Sequence, residues 1–174
     1  MNEELSKPRP DEITCLYEIT KAIHATLDLK KALYTVLDLL SEHLGMQRGS
    51  IAILDPHSSE IHIEVAHGIS STEMNKGIYK LGEGVTGNVI KSGRPMAVPR
   101  VDSEPLFLDR TGARSRINKS EISFICVPIK EDGKVIGSLS ADRVSAGSIP
   151  LEEDVRLLTV ISTLIAQKVL LLDR

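Results

Sequence analysis

Five cations crowd into one polar stretch of the chain: Arg100, Arg110, Arg114, Arg116 and Lys119. A guanidinium presents a rigid fork of donors that matches a carboxylate or phosphate, so a small dicarboxylate is a sensible guest for such a loop. Asp102, Glu104 and Asp109 lie among these cations, and pairing within the loop is the competing use of the same charges. Just upstream, Gly82, Gly84 and Gly87 free the backbone for tight turns. The run to Ser92 then reads as about two helical turns, stopped at Gly93 and followed at Pro95 by a short extended segment. Backbone N–H groups at the start of that helix are donors suited to an anion. The spacing therefore predicts one closing device. Gly82, Gly84 and Gly87 let the backbone hug a small anion while arginines from 110 to 116 fold over it, with Gly84, Val85, Gly87, Arg110, Arg114 and Arg116 as the candidate ligand residues.

Other chemistries lack their context. Gly82 to Gly87 also match G-x-G-x-x-G, with Asp102 near the place of a ribose-binding acid. The preceding residues, Asn75 to Lys80, are too polar for a buried parallel strand, and the helix ending at Gly93 is too short for a crossover. His62 and His67 face opposite sides of a strand, while His24, His43 and His57 are isolated, so no metal ligands are assigned. Neither a nucleophile elbow nor H-E-x-x-H is present, and no catalytic residues are assigned. Cys15 and Cys126 read as small core residues and fit a reducing cytoplasm. Asp109, Glu121 and Asp142 read as solvated surface carboxylates.

The elements that must position the loop follow from periodicity. Residues 1–10 form a flexible lead-in, and 11–174 a single domain. Ile13, Leu16, Thr20, Ile23 and Leu27 make a heptad-like seam on a helix that Asp11 can cap. Asp28 caps a second helix with Leu33, Val36, Leu37, Leu40 and Leu44 on one face, ended by Gly45. Arg48–Asp55 and Glu60–His67 read as a hairpin, the second strand with Ile61, Ile63 and Val65 inward. Glu121–Lys130 and Lys134–Arg143 form another hairpin, turned at Asp132-Gly133, with Gly137 marking a bulge or close approach. The last helix carries two apolar seams, one through Leu158, Ile165 and Val169 and one through Leu157, Ile161 and Leu164. Two seams predict two packing partners, the domain itself and a second chain. Ile13, Leu16, Ile23, Leu158, Ile165 and Val169 are the candidate homodimer residues.

Composition narrows the function classes. With 41% hydrophobic and 26% charged residues, the 174-residue chain is an ordinary globular sequence. A net charge of −3 and 3% aromatic content predict no direct nucleic-acid binding. The polar N-terminus and the lack of an 18-residue apolar run predict no signal peptide and no membrane span.

Leu81-Gly82-Glu83-Gly84-Val85-Thr86-Gly87, followed by Val89-Ile90-Lys91-Ser92-Gly93-Arg94-Pro95, resembles the middle of a GAF domain. The resemblance covers about residues 12–172 and implies an α+β fold: a GAF-like antiparallel sheet of five or six strands, flanked by helices, with long N- and C-terminal helices. Ser41 to Gly49, Phe107-Leu108-Asp109-Arg110-Thr111-Gly112-Ala113-Arg114 and Glu121 to Ile129 resemble, more narrowly, the N-terminal sensory domains of NifA-type regulators. That likeness implies a sensor of nitrogen or carbon status that controls an AAA+ ATPase and a DNA-binding domain in sigma-54-dependent transcription. It implies a 2-oxoglutarate-like ligand or a PII-type partner protein. The chain has no G-x-x-x-x-G-K-[ST] phosphate loop, which predicts a sensor fragment or a stand-alone sensor. It also lacks the N-K-x-D-E type string of cyclic-nucleotide-binding GAF domains. An interaction module without ligand, or an enzyme, are the alternatives.

Overall fold

The computed structural model describes residues 7–115, 117–144 and 151–172. Helices α1 (Pro10–Ala25) and α2 (Leu29–Leu44) lead into the hairpin of β1 (Arg48–Leu54) and β2 (Glu60–His67). Next come α3 (Ser71–Lys76), β3 (Ile78–Lys80), α4 (Gly84–Ser92) and β4 (Met96–Val98). After a long loop, β5 (Ile122–Glu131), β6 (Lys134–Val144) and α5 (Leu151–Leu172) follow. Six strands form one sheet in the order β3-β2-β1-β6-β5-β4, with every neighbouring pair antiparallel. This is the layered α+β architecture that a hairpin-rich pattern predicts.

Local signals account for several elements directly. Asp28 accepts the Lys31 amide at 3.0 Å to start α2, and Gly45 ends it in the left-handed conformation. Asp132 and Gly133 both have positive φ, the geometry of a type I′ hairpin turn between β5 and β6. Gly137 is a close approach: a Cβ there would run into the carbonyl oxygen of Ala52 on β1.

Helix α1 departs from its predicted seam. It begins at Pro10, with Arg9 rather than Asp11 at the cap position and Arg9 Nη2 bonded to Glu12 at 2.9 Å. Its buried face is Cys15, Ile19 and Ile23, whereas Ile13 is 55% and Leu27 84% exposed. The stripe sits off the heptad seam because α1 must meet both α2 and α5.

Helix α5 departs too. Its two seams merge into one broad buried face, with Leu157, Leu158, Ile161 and Ile165 all in the core shared by α1, α2 and the sheet. Of the six candidate dimer residues, Ile23, Leu158 and Ile165 are therefore taken up inside the chain. Leu16 and Val169 are half-buried, and Ile13 faces outward. By length and composition the 22-residue α5 is able to cross a membrane, a property the sequence reading excluded. Its apolar face is instead packed on β5 and α1.

Strand β2 holds a bulge. Ile51 pairs with Val65 but Ala52 pairs with Ile63, which leaves Glu64 as the extra residue. The bulge turns Val65 into the helix-side core, while Ile61 packs on Ala52 and Ile90 under α4. Strict alternation puts Ile61, Ile63 and Val65 on one side; one extra residue reverses the period. The sheet thus has two apolar faces, one under α1, α2 and α5 and the other under α4 and the long loop.

Candidate functional site

The glycine turn seats α4 on the second face of the sheet. At Gly87 a Cβ would run into the carbonyl oxygen of Lys80, so the bare Cα is what lets α4 lie against the end of β3. Gly84 opens α4 beside Leu106 and Leu108 of the loop. The amide of Val85 donates to the Leu106 carbonyl at 3.0 Å, and Asn88 Nδ2 reaches back to the carbonyls of Gly82 and Gly84 at 3.0 and 2.6 Å. A loop carbonyl therefore occupies the place predicted for an anion's oxygen.

Beside this helix start lies a cavity between sheet and loop. Ser50, Ala52, Ile63, Tyr79 and Phe124 of the sheet and Val85 and Thr86 of α4 line it. Phe107, Leu108, Asp109, Thr111 and Arg114 supply the loop wall. Its volume is about 30 Å³, enough to admit water. Tyr79 keeps its proton, because burial pushes the phenol above its ordinary range.

Arg114 is the centre of the loop wall and is only 5% exposed. Its Nε donates to Asp142 Oδ2 at 2.6 Å, and Nη1 lies 3.5 Å from Asp109 Oδ1. The guanidinium carbon sits 5.2 and 5.4 Å from the ring centroids of Phe107 and Phe124, which themselves meet edge to face. Arg48 Nε donates to the same Asp142 oxygen at 2.9 Å. The expectation of solvated carboxylates fails for two of three residues. Asp142 is buried between two arginines and the Asp109 side chain is only 9% exposed, while Glu121 stays exposed. A carboxylate enters a protein interior when opposite charges and hydrogen bonds come with it, and both do here. Among the described residues, Asp142 Oδ1, Arg48 Nη2, Ser138 Oγ, Arg143 Nε and Asp154 Oδ2 are buried without a partner.

Arg100, Arg110 and Lys119 do not line the cavity. Arg110 lies outside, donating to the Ile78 carbonyl at 3.0 Å, pairing with Glu83 and covering the Tyr79 ring. Arg100 pairs with Asp102 at 3.1 Å, and Lys119 Nζ is 3.6 Å from Asp109. Arg116 lies outside the described residues. Of the predicted ligand residues, Val85 and Arg114 line the cavity. Sequence reasoning missed Ser50, Tyr79, Thr86 and the Arg48–Asp142 pair. A signal for the last existed: Asp142 and Arg143 are neighbours in a strand with both faces covered, so both must find partners inside.

A GAF domain family model matches residues 28–169. This chain is a GAF domain. It is 40% identical over 151 residues to the nitrogen fixation protein AnfA of Azotobacter vinelandii, covering 87% of the chain and 28% of that protein. With VnfA of the same organism it shares 36% identity over 166 residues, covering 95% and 32%. With the Nif-specific regulatory protein of Herbaspirillum seropedicae it shares 38% over 159 residues, covering 91% and 29%. The GAF domain thus spans about three tenths of the length of these relatives. Among solved structures, the nlh2 GAF domain of A. aeolicus in an inactive state superposes with a TM-score of 0.82 at 28% identity, over 92% of this chain and 96% of that one. The free methionine-R-sulfoxide reductase of Neisseria meningitidis superposes with a TM-score of 0.76 at 22% identity, over 94% and 92%, a likeness of fold.

Proposed function

We propose that this GAF domain is the sensory part of a NifA-like, sigma-54-dependent transcriptional activator. It restrains or releases an AAA+ ATPase according to nitrogen or carbon status, in the cytoplasm and as a homodimer. The observation that carries the reading is the 40% identity to AnfA over 87% of the chain. The site supports a small-molecule signal, since hydroxyls, an arginine and apolar walls converge on one cavity. A non-catalytic role is supported by Cys126, whose thiol is pushed up to about 11 by burial and is a poor nucleophile there.

For the ligand, 2-oxoglutarate would bring one carboxylate to Arg114 while setting the other among groups that include Asp109. A second reading has its own observation. The cavity's small volume favours a partner protein, of PII type, reading the loop's outer surface, where Leu106 and Leu108 are exposed. The deciding experiment grafts this chain in place of the matching segment of AnfA and follows a reporter gene under nitrogen-limited and nitrogen-replete growth. A reporter that still switches supports a regulatory sensor. One that ignores nitrogen status removes the reading.

A further inference from the structure

Resting on the reading that this cavity takes a small metabolite, we propose that its ligand is an α-amino acid, held through its ammonium group by Asp109 and through its carboxylate by Arg114. The charge arrangement points this way. Two ionised side chains line the cavity, Asp109 and Arg114, and their charges cancel. A ligand with two carboxylates and no ammonium would set one of them against the Asp109 carboxylate. An α-amino acid presents one group of each sign at one carbon and matches both.

Asp109 is the residue with acceptor capacity to spare. Its carboxylate, only 9% exposed, is approached by two cations at long range, Arg114 Nη1 at 3.5 Å and Lys119 Nζ at 3.6 Å. Neither contact is a strong charge-assisted bond, for which about 2.7–2.9 Å is typical. Its backbone holds a positive φ of 46°, a conformation that aspartate and asparagine tolerate better than other non-glycine residues. Arg114 spends Nε on Asp142 and holds Asp109 only loosely through Nη1 at 3.5 Å, so a ligand carboxylate would meet the Nη edge of the guanidinium. Thr86 and Ser50 add hydroxyls, and Ile63 and Val85 form an apolar wall for the ligand's side chain. The cavity as it stands offers about 30 Å³, and on this proposal the wall carrying Phe107 to Thr111 gives way to admit the ligand. The contacts that would have to give are the Leu106 carbonyl on Val85, Arg110 on Ile78, Glu83 and the Tyr79 ring, Phe107 on Phe124, and Asp109 on Arg114 and Lys119.

Matched pairs of ligands isolate the ammonium. L-glutamate and 2-oxoglutarate differ only in an ammonium against a keto oxygen at the α-carbon, and L-leucine and its 2-oxo acid form an apolar pair. Each is titrated calorimetrically into the intact chain and into Asp109→Asn. Asparagine keeps the size and tolerates the backbone conformation, so circular dichroism should show an unchanged fold. In at least one pair the amino acid should bind at least tenfold more tightly than its 2-oxo partner, and Asp109→Asn should erase that gap. A 2-oxo acid that binds as well or better in every pair overturns the proposal and leaves the metabolite sensor standing. An amino-acid preference that survives Asp109→Asn overturns the role of Asp109. Binding by none of the four at millimolar concentration removes the metabolite reading and the proposal together.

Discussion

Arg114 is bonded to Asp142, flanked by Asp109 and packed against two phenylalanine rings that themselves touch. Its removal leaves Asp142, 1% exposed, with Arg48 as its remaining cation. Breaking a buried pair from one side costs about 3–5 kcal/mol, so Arg114→Ala should lower the urea unfolding free energy by roughly that amount. Arg110→Ala removes a half-exposed pair on the outside and should cost less than about 1 kcal/mol. Equal losses in the two variants would mean that Arg114 is not the internal brace.

At the scale of elements, the loop is fastened to the turn before α4 through Glu83. The Lys80 amide and Arg110 hold the Glu83 carboxyl below the ordinary glutamate range. A carboxyl lowered in the folded state stabilises it above the unfolded pKa, and that contribution is lost as the pH falls through the folded value. The fastening is therefore intact at neutral pH and released on acidification below the ordinary glutamate pKa of about 4.3. Glu83→Gln removes the charge without acid, so trypsin should cut after Arg110 faster in this variant at neutral pH. An unchanged cleavage rate would show that the ion pair does not restrain the loop.

The terminal helices make a different prediction. Ile13 and Tyr17 of α1 are 55% and 61% exposed, whereas Leu158 of α5 is fully buried. Leu158→Glu should unfold the chain, since burying an unpaired charge is among the few changes that cost more than about 4 kcal/mol. Ile13→Glu with Tyr17→Glu should leave the fold intact and, if the exposed face of α1 mediates pairing, convert a dimer to a monomer in sedimentation. A dimer that persists in the double variant would move the interface elsewhere, for instance to the exposed Val160 and Leu171 of α5.

For the molecule as a whole, one sheet separates two jobs. Its helix side carries the larger core, and its other side carries α4, the loop and the cavity. Asp142 and Arg143 are adjacent on β6 and face opposite sides: Asp142 holds the loop through Arg114, while Arg143 holds Asp154 of α5 at 2.7 Å. A change at the loop thus has a short mechanical route to α5. A ligand that binds only the folded chain stabilises it by RT ln(1 + [L]/Kd), about 2.7 kcal/mol at a hundredfold excess over Kd. For a domain of this size that raises Tm by roughly 5–10 °C, which differential scanning calorimetry would read. The same rise in Arg114→Ala would place the ligand away from this cavity.

What the sequence determined by itself is what is local. The Asp28 cap, the Gly45 stop, the Asp132-Gly133 turn and the stripe of α2 each depend on residues within a turn or two of one another. The run from Leu81 to Pro95 carried the family, because its glycines serve a backbone approach that few other residues permit. Tertiary structure decided what depends on register between distant segments. Arg48 and Asp142 stand 94 residues apart, and Arg114 and Asp142 stand 28 apart, so no periodicity announces that they meet. Hydrophobic spacing showed that α5 has a wide apolar face, but only the positions of α1, α2 and β5 decided that its two seams enter one core. The loop arginines read as one group because they are close in sequence. Arg100, Arg110 and Arg114 answer instead to the carboxylates that folding brings near, since Coulomb attraction between charges falls with distance in space and is indifferent to distance along the chain.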